Sequence, residues 1–266
     1  MIHTLHEGTG HLNNRILIGI PTRGVVRFEW RAGLQQTMPT NWAHIEAAYM
    51  GFPLADAENL IAKTCVEGGY EWLLFVEDDN VLPPGAFIRI NQWMIKGTVP
   101  IVGGLYFTKS VPPEPMIYRD WGKGYYADWK MGEAVWCKGL PFGCTLIHAS
   151  IIKALWDISP EYTVGKTTTR RVFKQPDDLK VDPEGNYYMA SGTTDLNFCN
   201  QIVKEKIFEK AVWKGKHLWK KYQKKENPFL VDTKLFIQHI DLDGVKWPLS
   251  LPAEFLQGKK TFRQTL

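Results

Sequence analysis

Three carboxylates follow one apolar segment of the chain. Residues 72–76 read WLLFV, Glu77, Asp78 and Asp79 come directly after them, and two prolines stand at positions 83 and 84. Adjacent carboxylates repel one another, and a divalent cation relieves that repulsion. Oxygen ligands favour Mg²⁺ or Mn²⁺, and Mg²⁺ is commonly held by one or two carboxylates together with substrate phosphates. A solvated acidic turn is the alternative, but the apolar strand and the double proline around the acids favour a metal site.

Strand and helix patterns alternate from Arg15 onward and would position these acids. Near-uniform apolar runs predict buried strands, and helical spacing that ends at glycine predicts the helices between them. The predicted strands are Ile16–Ile20, Trp42–Met50, 70–76 and 99–107, and the predicted helices are a stretch ending near Gln36, Ala55–Glu67 and Gly85–Ile95. This order predicts an α/β fold with a mostly parallel central sheet and helices on both faces.

A second polar segment follows the first predicted strand. Pro21, Thr22 and Arg23 come directly after ILIGI, just as the acids come after WLLFV. Ligands of open parallel sheets bind beyond the carboxyl ends of the strands. The sequence therefore predicts one cleft between these two strand ends.

Composition limits the class of protein. The chain has 266 residues, of which 44% are hydrophobic and 23% charged, which predicts one continuous globular domain over residues 1–266. No apolar run approaches the roughly 20 residues of a membrane span, and the first residues lack a signal-peptide pattern, so we expect a cytoplasmic protein. The four cysteines are widely spaced, which favours buried thiols over a zinc site or a disulfide.

Seven segments together resemble nucleotide-sugar glycosyltransferases of the GT-A fold, of a family-two-like kind. WLLFVEDDNVLPP resembles their acid-x-acid metal motif, with Glu77 at the first acid and Asp79 at the second. Further segments resemble that family in the expected order across roughly residues 15–240: ILIGIPTRG, ADAENLIAKTCVEGGYEW, VGGLYFTKSVPPEPMIYR, PFGCTLIHASIIKAL, SGTTDLNFCNQI and LFIQHID. Each segment alone is weak, but the ordered set is specific.

The resemblance implies a fold and an activity. It implies a single Rossmann-like GT-A domain with a nucleotide-binding half at about 15–105, an acceptor-binding half at about 106–240 and a tail at 241–266. The implied reaction moves a sugar from a UDP- or GDP-linked donor to an acceptor hydroxyl, with inversion and with Mn²⁺ or Mg²⁺ as cofactor. Such a transfer needs a cation for the leaving diphosphate and a carboxylate base for the acceptor hydroxyl.

The resemblance also assigns roles to residues. Asp79 and His239 would hold the metal ion, and Asp195 would be the base. The implied nucleotide-sugar-binding residues are Pro21, Thr22, Arg23, Asn59, Glu77 and Asp78. The chain departs from the family pattern at Glu58, where an arginine is common, and at Thr194, where a glutamate is common.

Each of three assignments has a structural alternative. Asp195 follows two threonines, so it also suits the capped start of a helix over residues 195–206. His239 follows an apolar run and also suits a core histidine. Asn59 also suits a buried amide within a helix.

Aromatic residues are concentrated between Tyr106 and Trp136 in a stretch broken by glycine and proline. Aromatic faces suit a carbohydrate acceptor, and we expect Trp121 and Trp129 to be exposed and to bind it. The alternative is a hydrophobic cluster beneath a long loop.

A basic segment extends from Lys204 to Lys225. Its nine lysines and two glutamates give +7, whereas the whole chain is +4, which leaves −3 for the remainder. A solvated helix face is the common explanation of such a run. The functional alternatives are an anionic glycan or glycolipid acceptor, peripheral membrane contact or, ranked lower, a nucleic acid.

Two other classes of protein also combine an α/β sheet with carbohydrate or nucleotide binding. One is a nucleotidyltransferase acting on sugar phosphates, which normally has a glycine-rich phosphate loop that residues 21–24 (PTRG) imitate poorly. The other is a non-catalytic carbohydrate-binding protein of the same fold, which the departures at Glu77 and Thr194 would allow.

Overall fold

A computed structural model describes residues 14–223 and 226–250. The strands are β1 (Asn14–Thr22), β2 (Trp42–Met50), β3 (Trp72–Val76), β4 (Asn80–Val81), β5 (Ile101–Leu105), β6 (Ala134–Cys137), β7 (Cys144–His148), β8 (Glu161–Val164), β9 (Thr167–Arg170), β10 (Asp177–Val181), β11 (Tyr187–Ser191), β12 (Phe229–Phe236), β13 (Gln238–Ile240) and β14 (Lys246–Trp247). The helices are α1 (Phe28–Leu34), α2 (Leu54–Glu67), α3 (Ala86–Lys96), α4 (Ala149–Trp156), α5 (Thr194–Lys204), α6 (Ile207–Lys210) and α7 (Lys216–Tyr222).

A seven-stranded sheet forms the centre, in the order β2-β1-β3-β7-β5-β12-β6. The pairs β1/β2, β1/β3 and β5/β12 are parallel, whereas β7 is antiparallel to both of its neighbours and β6 is antiparallel to β12. Five strands therefore run in one direction and two run against them. The predicted α/β class and mostly parallel sheet are confirmed, and the architecture is compatible with a Rossmann-like fold.

Helices cover both faces of this sheet. Trp42 and Ala47 lie five residues apart on β2, so their side chains point to opposite faces. The Trp42 ring packs against Phe87 of α3, with ring centroids 5.4 Å apart. Gly19 is the register partner of Ala47 on β1, and Ile61 of α2 fills the space where a side chain at Gly19 would stand. The inner strands β1 and β3 are thus buried from both sides, as their composition predicts, whereas most of β2 is exposed because it lies at the edge of the sheet.

Local signals account for the element boundaries near the acidic run. Residues 72–76 form β3 and are fully buried, and the predicted strand at Trp42–Met50 has those same bounds as β2. The helix predicted at Gly85–Ile95 is α3, which begins after Gly85 and ends before Gly97. Both glycines adopt left-handed backbone angles, with φ of +76° and +58°. This conformation favours glycine and stops the helix at each end.

A small three-stranded sheet brings distant residues beside the acids. Its order is β14-β13-β4, and Asn80 of β4 pairs with His239 of β13. The backbone N–H of Ile240 donates to the carbonyl of Asp79 at 2.7 Å. This sheet therefore carries LFIQHID to the end of β3.

One apolar core extends from β1 to the residue after β12 and includes Ile16, Phe75 and Ile237. All four cysteines are buried free thiols, as predicted. Burial raises the pKa of Cys65 and of Cys144 to about 12, so both remain protonated. Within residues 14–223 and 226–250, no helix is long and apolar enough to cross a membrane.

A buried carboxylate ties α3 to β12. Asp232 is fully buried and accepts hydrogen bonds from Arg89 Nε and, at 2.7 Å, from Trp93 Nε1. Its other oxygen accepts from the backbone N–H of Lys234 at 3.1 Å. A buried charge is tolerated when it is paired and hydrogen-bonded in this way.

We expect Asp232→Ala to lower the free energy of unfolding by roughly 3 kcal/mol, because it leaves the Arg89 charge and the Trp93 N–H partly buried without an acceptor. Urea denaturation measures this change. Asp157→Ala is the matched control, since its ion pair with Lys153 is exposed and is worth less than about 1 kcal/mol. Equal losses in the two variants would contradict a structural role for Asp232.

Candidate active site

A cleft opens at the carboxyl ends of β1 and β3. Its volume is about 380 Å³. It is lined by Pro21, Thr22, Arg23, Phe52, Leu54, Ala57, Glu77, Asp78 and Asp79. The two strand ends predicted to meet therefore share one cleft, with an apolar wall from the start of α2.

Hydrogen-bond donors hold the acidic run in place. The backbone N–H of Arg23 donates to Asp78 Oδ2 at 2.9 Å, which joins the ends of β1 and β3. Asn80 Nδ2 donates to Asp79 Oδ1 at 2.7 Å, and Trp30 Nε1 donates to the Glu77 carbonyl at 2.7 Å. Donors of the surrounding chain thus hold the carboxylates of Asp78 and Asp79 and the backbone at Glu77.

The ionisation of Glu77 is costly in this cleft. Burial raises its pKa from 4.5 to about 8, and the charges of Asp79, Asp195 and Asp78 add to that effect. Glu77 therefore holds a proton at neutral pH unless a cation approaches.

Asp195 lies close enough to Glu77 for the two charges to interact. It stands in the first turn of α5, after the N-cap residue Thr193, so its placement also agrees with the alternative of an acidic residue at the capped start of a helix. Burial raises the pKa of Asp195, outweighing hydrogen bonds from Thr193, Leu196 and Phe142 that lower it. A raised pKa makes a carboxylate a stronger base.

The two departures from the family pattern touch each other. Thr194 Oγ1 donates to Glu58 Oε1 at 3.0 Å, and both side chains are buried. Burial, followed by the charge of Glu77, raises the pKa of Glu58 well above its ordinary value, so Glu58 is a neutral acid behind the cleft. From sequence the two positions were interpreted separately, although their opposite changes in charge were a signal that they are in contact.

His239 has the tautomer that a metal ligand needs. Its Nδ1 lies 2.8 Å from the carbonyl of Phe107, and since a carbonyl only accepts, Nδ1 carries the hydrogen. The lone pair therefore lies on Nε2, and burial lowers the pKa of the ring so that it stays neutral. A backbone carbonyl that orients a histidine is a usual partner of metal-ligating imidazoles.

A lysine forms an ion pair with Asp79, the carboxylate assigned to the metal ion. Lys109 Nζ lies 2.7 Å from Asp79 Oδ2 and 2.8 Å from Asp241 Oδ1. In the part of the chain that the structure describes, no three His, Cys, Asp or Glu side chains form a group that could hold a metal ion. Asp79 and His239 are an oxygen and a nitrogen ligand of the kinds that Mn²⁺ accepts, and the Lys109 ammonium already pairs with Asp79 and with Asp241. No sequence signal identified Lys109.

The structure corrects the role predicted for Asn59. This residue was assigned to the nucleotide sugar, but it is 1% exposed and does not line the cleft. Its Nδ2 donates to Tyr162 Oη at 2.9 Å and to the Phe173 carbonyl at 2.8 Å, and its Oδ1 accepts from the Phe173 N–H at 2.8 Å. These bonds fasten α2 to residues 162–173, and the buried-amide alternative is the one observed.

Trp129 is a second correction. It is 2% exposed and its Nε1 donates to the Tyr126 carbonyl, so it has no free face for an acceptor. Trp121, in contrast, is 39% exposed. It lines a groove of about 390 Å³ with Thr193 and Leu196, the residues on either side of the Thr194-Asp195 pair.

The basic segment has a buried aromatic side. Its aromatic residues Phe208, Trp213 and Trp219 pack against one another in the core, so they offer no stacking surface to a nucleic acid. Lys214 lines a pocket together with Trp72 and His148 at the opposite edge of the sheet from the cleft. Lys224 and Lys225 lie outside the described residues.

Comparison with known proteins yields little. No protein-family model matches the chain, and no curated protein is significantly similar to it. Among solved structures, the crystal structure of A197 from STIV is similar to it at 14% identity, covering 86% of each chain with a TM-score of 0.48. A likeness at this level carries no argument about this protein.

The raised pKa of Glu77 makes stability depend on pH. Between about pH 4.5 and 8 the folded protein holds a proton on Glu77 that the unfolded chain has lost, so stability falls as pH rises through that window. We expect Glu77→Gln to remove up to about 1.4 kcal/mol of this loss per pH unit, measured by urea denaturation in EDTA. Glu67→Gln, at an exposed position of α2, is the control. Parallel curves for Glu77→Gln and the wild type would contradict the assignment.

Proposed function

We propose that this protein is a metal-dependent glycosyltransferase that moves a sugar from a nucleoside-diphosphate sugar to an acceptor hydroxyl, with inversion. The observation that carries the proposal is the convergence of segments far apart in the chain. The ends of β1 and β3 share one cleft, β13 brings His239 beside the acids, and Asp195 interacts with Glu77. Each of these segments was assigned to the reaction separately.

We further propose that the sheet has the GT-A form of a Rossmann-like fold. The support is the position of the acidic run directly after β3, where it lines the cleft with the residues that follow the core of β1. The antiparallel strand β7 and helix α4 coincide with PFGCTLIHASIIKAL, the segment that resembles the border of the acceptor pocket in that family.

The cleft suits a nucleotide. An apolar wall is formed by Phe52, Leu54 and Ala57. Polar groups come from Thr22 and Arg23 at the carboxyl end of β1. Ligand sites commonly combine an apolar lining with a few fixed polar groups of this kind. A diphosphate in this cleft would be repelled by the carboxylates of Asp78 and Asp79, and a cation between them would relieve that repulsion.

Asp79 and His239 would hold that cation, through a carboxylate oxygen and through Nε2. A bound Mn²⁺ or Mg²⁺ would supply Lewis-acid stabilisation of the charge that develops on the leaving diphosphate. The small sheet keeps the two ligands together, because Ile240 is bonded to the Asp79 carbonyl and His239 pairs with Asn80.

Asp195 would take the proton of the attacking hydroxyl. The groove lined by Trp121, Thr193 and Leu196 lies beside it and would receive the acceptor. An exposed indole face packs well against a sugar ring, which favours a glycan or glycolipid acceptor. The burial that raises the pKa of Asp195 would also keep water away from its carboxylate, so that the acceptor hydroxyl is the group it deprotonates.

Incubation with sugar nucleotides tests the proposed class. A glycosyltransferase releases UDP or GDP from a UDP- or GDP-sugar when Mn²⁺ is present, slowly to water and faster to an acceptor. A nucleotidyltransferase instead forms pyrophosphate from a nucleoside triphosphate and a sugar phosphate. A non-catalytic carbohydrate-binding protein consumes neither mixture.

We expect Asp79→Ala to abolish the dependence of nucleotide binding on metal. Calorimetry with UDP and GDP should show wild-type binding that Mn²⁺ strengthens at least tenfold, about 1.4 kcal/mol, because the cation bridges phosphate and carboxylate. Asp157→Ala, at the exposed C-cap of α4, should bind like the wild type. Equal wild-type affinity in Mn²⁺ and in EDTA would overturn the metal role.

We expect Asp195→Asn to lower kcat by roughly a hundredfold or more while donor binding persists, since the amide keeps the size of the side chain but removes its basicity. A purely structural role predicts the reverse, namely a stability loss of about 1 kcal/mol with near-normal turnover. Steady-state kinetics and thermal melting separate the two. A product that retains the donor's anomeric configuration would also contradict Asp195 as the base.

A further inference from the structure

Two carboxylates at the mouth of the cleft share one ammonium group. Lys109 Nζ contacts Asp79 Oδ2 and Asp241 Oδ1 at 2.7 and 2.8 Å. Each carboxylate is held from its other side, Asp79 by Asn80 Nδ2 and Asp241 by Trp247 Nε1, both at 2.7 Å. The pair of carboxylates is thus a fixed binding site for a positive charge, and the Lys109 ammonium group occupies this cation site.

The backbone that carries Lys109 is also fixed. Thr108 N donates to the Glu114 carbonyl at 2.9 Å, and Glu114 N donates to Thr108 Oγ1 at 3.0 Å. The neighbouring carbonyl of Phe107 is the group that orients His239. The lysine therefore starts from a rigid point, but its side chain is 31% exposed and ends in a flexible four-carbon stem. The ammonium group can leave the cation site without a rearrangement of the backbone.

We propose that Lys109 is a resident counter-ion that a divalent metal ion must displace, so that this lysine limits the metal affinity of the site. The inference rests on the metal-binding part of the proposed function. Asp79 Oδ2 cannot serve as a close hydrogen-bond acceptor of an ammonium group and as a ligand of a divalent cation at once, because the two cations would repel each other at that distance.

Lys109 affects the cation site differently in its metal-free and metal-bound states. Without metal, Lys109 neutralises part of the charge on Asp79 and Asp241 and keeps them together. With metal, the displaced ammonium group loses two charge-assisted hydrogen bonds, and this loss is subtracted from the binding of the ion. Removal of the lysine should therefore raise metal affinity, because it removes the group that competes for Asp79 and leaves the proposed ligands in place.

The test compares the binding of Mn²⁺ alone to the wild type, Lys109→Met, Lys109→Arg and Lys153→Met, by calorimetry on the full chain. We expect Lys109→Met to bind Mn²⁺ about tenfold more tightly than the wild type. Lys109→Arg keeps the positive charge and should stay weak. Lys153→Met removes the same charge from an exposed ion pair with Asp157 on α4 and should match the wild type.

Thermal melting with and without Mn²⁺ gives a second readout, since a tighter ligand raises the melting temperature further. The metal-induced rise should be larger for Lys109→Met than for the wild type. An affinity gain below threefold for Lys109→Met overturns the inference and leaves the metal role standing. If neither protein binds Mn²⁺, the inference and the metal role both fail. Sugar transfer is measured in a separate assay, so the proposed activity is tested independently of them.

Discussion

Repulsion between carboxyl groups at one edge of the sheet is the constraint around which this end of the molecule is built. Each acid is accommodated differently. Glu77 keeps a proton, Asp78 accepts a backbone N–H from the end of β1, and Asp79 is bound by the Lys109 ammonium. Behind them Glu58 remains neutral and accepts from Thr194, which joins α2 to α5. The packing of the surrounding elements follows from these contacts as much as from apolar burial.

Those contacts also explain why the site is rigid while its charge is adjustable. The donors are main-chain groups or side chains within short elements, so the carboxyl groups keep their places. Under the proposed function, the lysine ammonium gives way to a metal ion while these donors stay in place. A site of this kind is prepared for an anionic ligand only when extra positive charge arrives with it.

The parts of the structure that depend on local pattern could be predicted from sequence. β2, α2 and α3 follow from apolar periodicity and from glycine stops, and the sheet edge follows from the alternation of elements. Features that depend on distant pairing could not. Asn59 is buried because residues 162–173 fold over α2, and Trp129 is buried because its loop turns inward. Lys109 meets Asp241 across 132 residues, and nothing near either residue indicates the pair.

The direction of α5 separates two opposite charges in space. Asp195 stands at its start beside the cleft, and Lys204 stands at its end, about 14 Å away at the rise of an α-helix. Lys214 continues the basic segment at the far edge of the sheet. Lys214 therefore lies with Trp72 at the start of β3, whereas the acids follow the end of the same strand. An anionic ligand held by Lys214 alone would accordingly lie a full strand length away from the cleft.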